Sequence, residues 1–421
     1  MWPLPRGRAL QPYTELSAGV IGTATPEGGT IVGIRAERNI GLDLVRTVAI
    51  LLVMLGHLMP VFQAPPPWPD IATYISDLGV ELFFSLSGFL IGQILLDTPP
   101  GATRRFWIRR WLRTLPAYYF YYALFALVQP PAKISTLFFV QQFFPPPTGF
   151  FVVAWSLAME EWFYLLFPII CLGLGAFVWP NQKRHVIVLR SALAVITACC
   201  AIRFGALHFL LHWPHVLGEL SFRAHPIVRL DCCAYGVVLA ALVRMDPVRL
   251  QALVARWRPI RGILCCIIPF ALLGVVFIVL VTGNHEVERR IFFPLWAASY
   301  YTFDYPVKDL TATILVMIIY FTEFSFSSGV RYCIQKCGMI SYSIYLVHTL
   351  VNLTWTTVFV SLFGMSGGVA VYLMVVIFCA MLSYRLIERP FLAVRERFFP
   401  GLPSRSSPRH SERKLDAIPA K

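Results

Sequence analysis

Long apolar runs recur along this chain, and each is separated from the next by a short polar or proline-rich segment. A run of about 20 apolar residues is long enough to cross the hydrocarbon core of a bilayer as a helix. The pattern therefore predicts an all-α fold, a polytopic transmembrane helical bundle of about ten spans. The expected spans cover approximately residues 40–60, 78–96, 112–129, 152–174, 186–203, 227–243, 262–282, 309–326, 339–361 and 368–387.

Composition supports a membrane protein, because 57% of the 421 residues are hydrophobic and only 14% are charged. Such a chain is too apolar for a soluble globular domain. The net charge of +14 would also suit a nucleic-acid partner. Most Lys and Arg residues, however, fall on segments that are cytoplasmic when both termini are cytoplasmic, as the positive-inside rule requires. We therefore predict two cytoplasmic termini, a lipid bilayer as partner and no nucleic acid.

The spans divide the chain into three parts. Residues 1–37 mix Pro, Gly, Thr and Arg without a long apolar run, so we expect a flexible N-terminal tail. The membrane domain is expected over residues 38–392. Residues 393–421 are rich in Ser, Arg, Pro and Lys, and we expect a basic, flexible C-terminal tail.

The first predicted span carries three ionisable residues, Asp43, Arg46 and His57, which are costly within hydrocarbon and often functional there. At about 100° per residue, the three lie within about 60° of one another around the helix axis. This polar stripe should therefore face other helices or a wet cavity. An imidazole near a carboxylate can accept a proton from a hydroxyl. The alternative is an Asp43–Arg46 ion pair at the inner interface with His57 among the outer headgroups.

A run of arginines opens the third predicted span: Arg104, Arg105, Arg109, Arg110 and Arg113. Arg110 and Arg113 are three residues apart and share a helix face. Five guanidinium groups exceed what orientation in the membrane requires, and Arg is suited to binding phosphate. The alternative is that these residues only fix the topology or contact anionic lipids.

Two adjacent carboxylates, Glu160 and Glu161, lie near the start of the fourth predicted span. They point about 100° apart, so they cannot both face one cavity. Glu160 shares a face with Tyr164, whereas Glu161 is expected at the membrane interface. If this span enters from outside, Glu160 and His57 lie at similar depth in the outer half of the bilayer, which suggests a single site.

The ninth predicted span has a polar stripe of Ser341, Tyr345 and His348. Such side chains often serve only as hydrogen bonds between helices. His208, His212 and His215 are at helical spacing, which would permit a metal site. Because no carboxylate cluster lies nearby, we interpret them as residues of the membrane surface and expect no metal.

The residues quoted above resemble the acyltransferase-3 family of integral membrane acyltransferases over roughly residues 38–392. An arginine and a histidine separated by ten residues, Arg46 and His57, match the family, and Glu81 departs from it because an aspartate is more common there. The other matching segments are Phe83–Leu90, Arg110 with Arg113, Trp155–Tyr164, Ser341–His348 and Tyr384–Pro390.

The resemblance implies transfer of an acyl group, most often acetyl from acetyl-CoA or another acyl-CoA, to a hydroxyl of a carbohydrate or glycosylated acceptor on the extracytoplasmic side. It implies His57 as the essential group, either as general base or through an acyl-histidine intermediate. It also implies multi-pass insertion in a bacterial cytoplasmic membrane. The alternative function is a proton-coupled transporter or flippase in which these residues relay protons.

These considerations assign each candidate residue an expected role. We expect catalytic roles for His57, Glu160, Arg46 and Asp43. Arg110, Arg113 and Arg109 are expected to bind the acyl-CoA donor. Tyr164, Tyr345 and His348 are expected to contact the acceptor substrate.

Overall fold

The computed structural model describes residues 22–24, 30–32, 39–58, 68–99, 101–143, 149–212, 225–256 and 305–400. The chain divides into two units, Met1–Asn39 and Ile40–Lys421. The first unit contains an antiparallel pair of short strands, β1 (Gly22–Ala24) and β2 (Thr30–Val32). The apolar pattern did not predict this hairpin.

The described part of the second unit is helical. Its helices are α1 (Ile40–Leu58), α2 (Trp68–Asp97), α3 (Thr103–Val128), α4 (Ile134–Leu137), α5 (Ala154–Phe177), α6 (Arg184–His212), α7 (Pro226–Arg229), α8 (Ala234–Met245), α9 (Pro247–Arg256), α10 (Tyr305–Phe321), α11 (Ser328–Ser383) and α12 (Arg389–Phe398). Short 3₁₀ turns cover Gln141–Phe143 and Leu230–Cys233, and a π-helical turn covers Tyr384–Glu388. The expected all-α character is confirmed for this part of the chain.

Within the described residues, six stretches are long and apolar enough to cross a membrane: Ile40–Leu58, Ala72–Asp97, Ala154–Phe177, Arg184–Gly205, Pro226–Met245 and Ser328–Phe398. A multi-pass helical membrane protein follows from them. The predicted seventh span, residues 262–282, lies outside the described residues. Helix α3 begins at Thr103, about two and a half turns before the predicted third span, and this first part carries the arginine run.

The longest helical run, α11, is broken at Gly364, where φ is 70° and ψ is 178°. A positive φ of this size is readily adopted only by glycine. The break divides the 56-residue run into residues 328–363 and 365–383, so the predicted ninth and tenth spans are two separate helices.

Helix α1 has a buried polar face and an exposed apolar face. Asp43 is buried, whereas Val48, Leu51 and Leu55 are exposed on another face. Exposed apolar side chains suit lipid, and buried charge requires protein partners. The prediction that the polar stripe of α1 faces other helices is confirmed.

Helix α2 packs against α1, α8 and α10, and it approaches α8 and the 3₁₀ turn that precedes it closely. A Cβ atom built on Gly88 would lie 1.8 Å from the carbonyl oxygen of Cys233, and one built on Gly236 would lie 2.0 Å from the carbonyl oxygen of Ser85. Only glycine permits backbones this close. The contact fixes one side of α2, while its other side borders the cavity described next.

Candidate functional site

A cavity of about 210 Å³ lies between α1, α2, α3, α5 and α11. Helix α2 supplies most of its apolar wall, including Phe83, Phe84 and Ile91. The polar side chains that line it are Arg46, Ser87, Arg110, Arg113, Thr114, Ser156, Glu160, Ser341, Tyr342 and Tyr345. The structure thus places residues from all four predicted constellations around one cavity.

Arg110 and Glu160 form the central ion pair of this cavity. An Arg110 Nη2 group donates to Glu160 Oε2 at 3.2 Å and to the Tyr164 hydroxyl at 2.7 Å. The Tyr164 hydroxyl donates to the same carboxylate oxygen at 2.6 Å, and Ser87 donates to the other at 2.9 Å. The guanidinium also lies 4.0 Å from the centre of the Tyr164 ring. These contacts satisfy Glu160 and hold Arg110 in one orientation.

Arg46 and Asp43 form a second ion pair beside the cavity, with Nη1 and Oδ1 2.9 Å apart. Asp43 is fully buried, and its backbone packs closely against Gly338 of α11. Arg46 lines the cavity, whereas Asp43 is not among the residues that line it. The geometry makes Asp43 a fixed partner that orients Arg46.

Arg113 differs from the two paired arginines. It lines the cavity and is exposed, and it makes no hydrogen bond or ion pair within the described residues. Its charge is therefore available to an anionic ligand.

Arg109, which was expected to bind the donor, turns away from the cavity. Its Nη2 group lies 3.0 Å from Glu396 Oε1, and it also donates to the carbonyl of Phe399. The placement of Arg109 therefore supports a tie between α3 and α12 rather than a contact with the cavity.

His57 and His348 lie against each other near the end of α1. His348 Nε2 is 3.2 Å from His57 Nδ1, and the ring centres are 5.1 Å apart. His348 is fully buried and His57 is half-buried. Asn352 donates to the His57 carbonyl at 2.9 Å, so one turn of α11, from His348 to Asn352, contacts the end of α1.

Tyr345 connects this histidine pair to the cavity. Its side chain lines the cavity, and its hydroxyl bonds Ser156 and the Val153 carbonyl of the α5 start. Its ring centre lies 5.7 Å from that of His348. The histidines therefore lie one helical turn from the cavity wall.

The structure corrects two expectations about the carboxylates. Glu160 was expected beside His57, but it bonds Arg110, Tyr164 and Ser87, and His57 is absent from the described lining of the cavity. Glu161 was expected at the membrane interface, but it accepts a hydrogen bond from Thr114 of α3 at 2.9 Å. Helical periodicity could not predict either set of contacts, because the partners of both carboxylates lie on other helices, Arg110 and Thr114 on α3 and Ser87 on α2.

The sequence pattern gave no role to Ser87 or Thr114, although each bonds one of the two carboxylates. Ser87 lies in the segment Phe83–Leu90, and the match of that segment to the family is what could have indicated Ser87. A lone hydroxyl in an apolar run carries no periodicity of its own.

A separate group of buried charges lies between α2, α6, α7, the 3₁₀ turn and α10. Arg229 donates to Glu81 at 2.7 Å and lies 3.5 Å from Asp309. Arg203 bonds both oxygens of Asp231 at 2.9 and 2.7 Å. Buried charges of this kind need such partners, and the group joins five segments of the bundle.

No group of three or more His, Cys, Asp or Glu side chains could hold a metal ion among the residues that the structure describes. The side chains of His208 and His212, and all of His215, lie outside those residues.

The chain is similar in sequence to several bacterial proteins named as O-acetyltransferases. The chain is 26% identical over 389 residues to a Staphylococcus aureus (strain COL) protein named "Putative O-acetyltransferase", over 83% of this chain and 57% of that protein. It is 24% identical over 404 residues to the O-acetyltransferase OatA of Staphylococcus aureus (strain MRSA252), over 87% and 59%. A 198-residue match at 30% identity to the "Putative peptidoglycan O-acetyltransferase" YrhL of Bacillus subtilis (strain 168) covers 40% and 28%.

The chain thus spans less than two thirds of the length of these relatives. No solved structure matches it significantly. A family model described as an acyltransferase domain matches residues 39–385, which is most of the chain and includes every cavity residue named above. The chain therefore belongs to the acyltransferase-3 family, as its motifs indicated.

Proposed function

We propose that this protein is a membrane O-acyltransferase that moves an acyl group, acetyl by default, from cytoplasmic acyl-CoA to a hydroxyl of a carbohydrate or glycosylated acceptor. Transfer would take place towards the extracytoplasmic side of a bacterial cytoplasmic membrane. The observation that carries the proposal is a cavity lined by Arg113, which has no ion-pair partner among the described residues, and by Tyr345, whose ring lies beside His348 of the His57–His348 pair. Membership of the acyltransferase-3 family supports the same chemistry.

The cavity would suit the donor because Arg113 of α3 provides a positive charge and α2 provides an apolar wall. Arg113 has no ion-pair partner among the described residues, so it would bind a phosphate of CoA. The apolar wall of α2 would accommodate the uncharged pantetheine arm. Arg110 and Arg46 are already paired, and they would shape this path rather than carry the phosphates alone.

His57 would act at the other end of this path. It follows Arg46 by eleven residues, which is about 16 Å along the helix axis. A neutral imidazole can take the proton of an acceptor hydroxyl while that oxygen attacks the thioester carbon. The carbon–sulfur bond then breaks, and the proton passes from the histidine to the CoA thiolate. An acyl-histidine intermediate would use the same side chain.

The relatives support a cell-surface glycan as acceptor. The name of the Bacillus subtilis relative includes peptidoglycan. A glycan hydroxyl is a poor nucleophile until its proton is removed, which matches the base that we assign to His57.

The proposal is tested by release of free CoA from acetyl-CoA by the purified protein in lipid nanodiscs, with a peptidoglycan fragment as acceptor. Arg113→Gln should raise the apparent KM for acetyl-CoA about tenfold or more, since a charge-assisted phosphate contact contributes about 1.5–3 kcal/mol. The KM for the acceptor should change little.

Arg109→Gln is the matched control, because Arg109 belongs to the same run but bonds Glu396. It should leave the KM for acetyl-CoA nearly unchanged. Equal effects of the two substitutions would show that the arginines act through topology alone. A transporter or flippase would release no CoA in this assay.

A further inference from the structure

The contacts of the two histidine rings determine where their protons lie. His348 Nδ1 is 2.8 Å from the Tyr345 carbonyl oxygen and 3.2 Å from the Ile344 carbonyl oxygen. Carbonyl oxygens accept and never donate, so His348 Nδ1 must carry a proton. Burial away from water favours the neutral ring, which has one N–H group only. His348 Nε2 is therefore an acceptor.

The proton of His57 is fixed by its neighbours in the same way. Its Nδ1 lies 3.2 Å from His348 Nε2 and 3.0 Å from the Val53 carbonyl oxygen. Two acceptors facing one nitrogen require that nitrogen to carry the proton. The Ser76 hydroxyl, 3.5 Å away, is able to accept as well. In the neutral His57 ring the lone pair is consequently on Nε2.

We propose that His348 is a positioning residue that fixes His57 in the Nδ1–H tautomer, so that Nε2 is the nitrogen that reacts. This inference rests on the proposed acyl transfer and replaces the acceptor-binding role expected for His348. During the reaction, Nε2 takes the proton of the acceptor hydroxyl as the oxygen–carbon bond forms. The carbon–sulfur bond of the thioester breaks, and the proton then leaves Nε2 for the thiolate.

His348 also stabilises the charged form that this step creates. When Nε2 of His57 takes the proton, Nδ1 remains a donor to His348 and to the Val53 carbonyl. Hydrogen bonds from a charged donor are stronger than those from a neutral one. The protonated ring is thus held in the same orientation as the neutral ring, without movement of α1.

The test measures the tautomer directly in the full-length protein in nanodiscs. ¹⁵N-histidine spectra of the resting protein should show a protonated Nδ1 and a bare Nε2 for His57, whose signals are identified by their loss in His57→Gln. In His348→Leu, these signals should shift towards a mixture of tautomers. A protonated Nε2 in the wild-type ring, or an unchanged His57 signal in His348→Leu, would overturn the inference.

Kinetics provide the second readout. His348→Leu should lower kcat about tenfold or more with little change in the KM for acetyl-CoA, since misorienting a catalytic histidine costs several powers of ten in serine proteases. His348→Gln should retain more activity, because the amide oxygen accepts a hydrogen bond in place of Nε2. Equal loss in both variants would indicate a packing role only. The resting-state spectra need neither donor nor acceptor, so they remain decisive even if the proposed acyl transfer is wrong.

Discussion

Glu160 and Glu161 show how strongly the partners of a residue determine its role. The two are adjacent in sequence, but Glu160 faces Arg110 and the cavity, whereas Glu161 accepts from Thr114. The helical period predicts that they point in different directions. It does not predict their partners, because these come from α2 and α3, which are distant in sequence. The long side chain of Arg110 reaches from α3 to Glu160 on α5.

The two carboxylates therefore offer a matched pair of substitutions. Glu160→Gln removes the charge that balances Arg110, so transfer should fall sharply and the free energy of unfolding should fall by about 1–3 kcal/mol. Glu161→Gln keeps an acceptor for Thr114 and should have a mild effect on both. Activity and thermal unfolding in detergent measure the two quantities. A Glu161→Gln protein as impaired as Glu160→Gln would contradict the cavity assignment.

At the scale of the helices, the apolar pattern was a good guide to position and a poor guide to ends. Helices α1, α5 and α6 occur where spans were predicted. Helix α3 starts earlier than predicted, because arginines interrupt hydrophobicity without interrupting a helix. The break at Gly364 agrees with the predicted gap between the last two spans. The hairpin of β1 and β2 and the close contact of α2 with α8 depend on pairings that hydropathy does not encode.

The contact of α2 with α8 leads to a prediction about Gly88, which lies in the segment Phe83–Leu90. Gly88→Ala would place a methyl group against the Cys233 carbonyl, and overpacking of this kind costs about 1–3 kcal/mol. The melting temperature in detergent should fall, and the cavity wall should shift with it. Gly173→Ala on α5 is the control, since no atom outside its own stretch of helix lies within 4 Å of its added Cβ, and its melting temperature should not fall. Equal melting temperatures would show that this contact is looser than described.

In the whole molecule, two helices, α1 and α11, carry residues both at the cavity and at the His57–His348 pair. Helix α1 holds Arg46 at the cavity and carries His57 about 16 Å further along its axis. Helix α11 brings Tyr345 to the cavity and His348 against His57. The sequence predicted these residues individually, from stripes on single helices. Their grouping, with Glu160 at Arg110 and His57 at His348, depends on the packing of five helices and could not be predicted from single helices.

If His57 performs the transfer chemistry, its substitution should abolish free-CoA release from acetyl-CoA with a glycan acceptor present. His57→Ala should lower turnover about 10²–10⁴-fold, the usual contribution of a general base, while binding of acetyl-CoA at Arg113 persists. His225→Ala is the control, because His225 lies at the start of α7 beside Phe143, and its turnover should match the wild type. Turnover of His57→Ala at the wild-type rate would contradict the assignment of His57 as the reacting group.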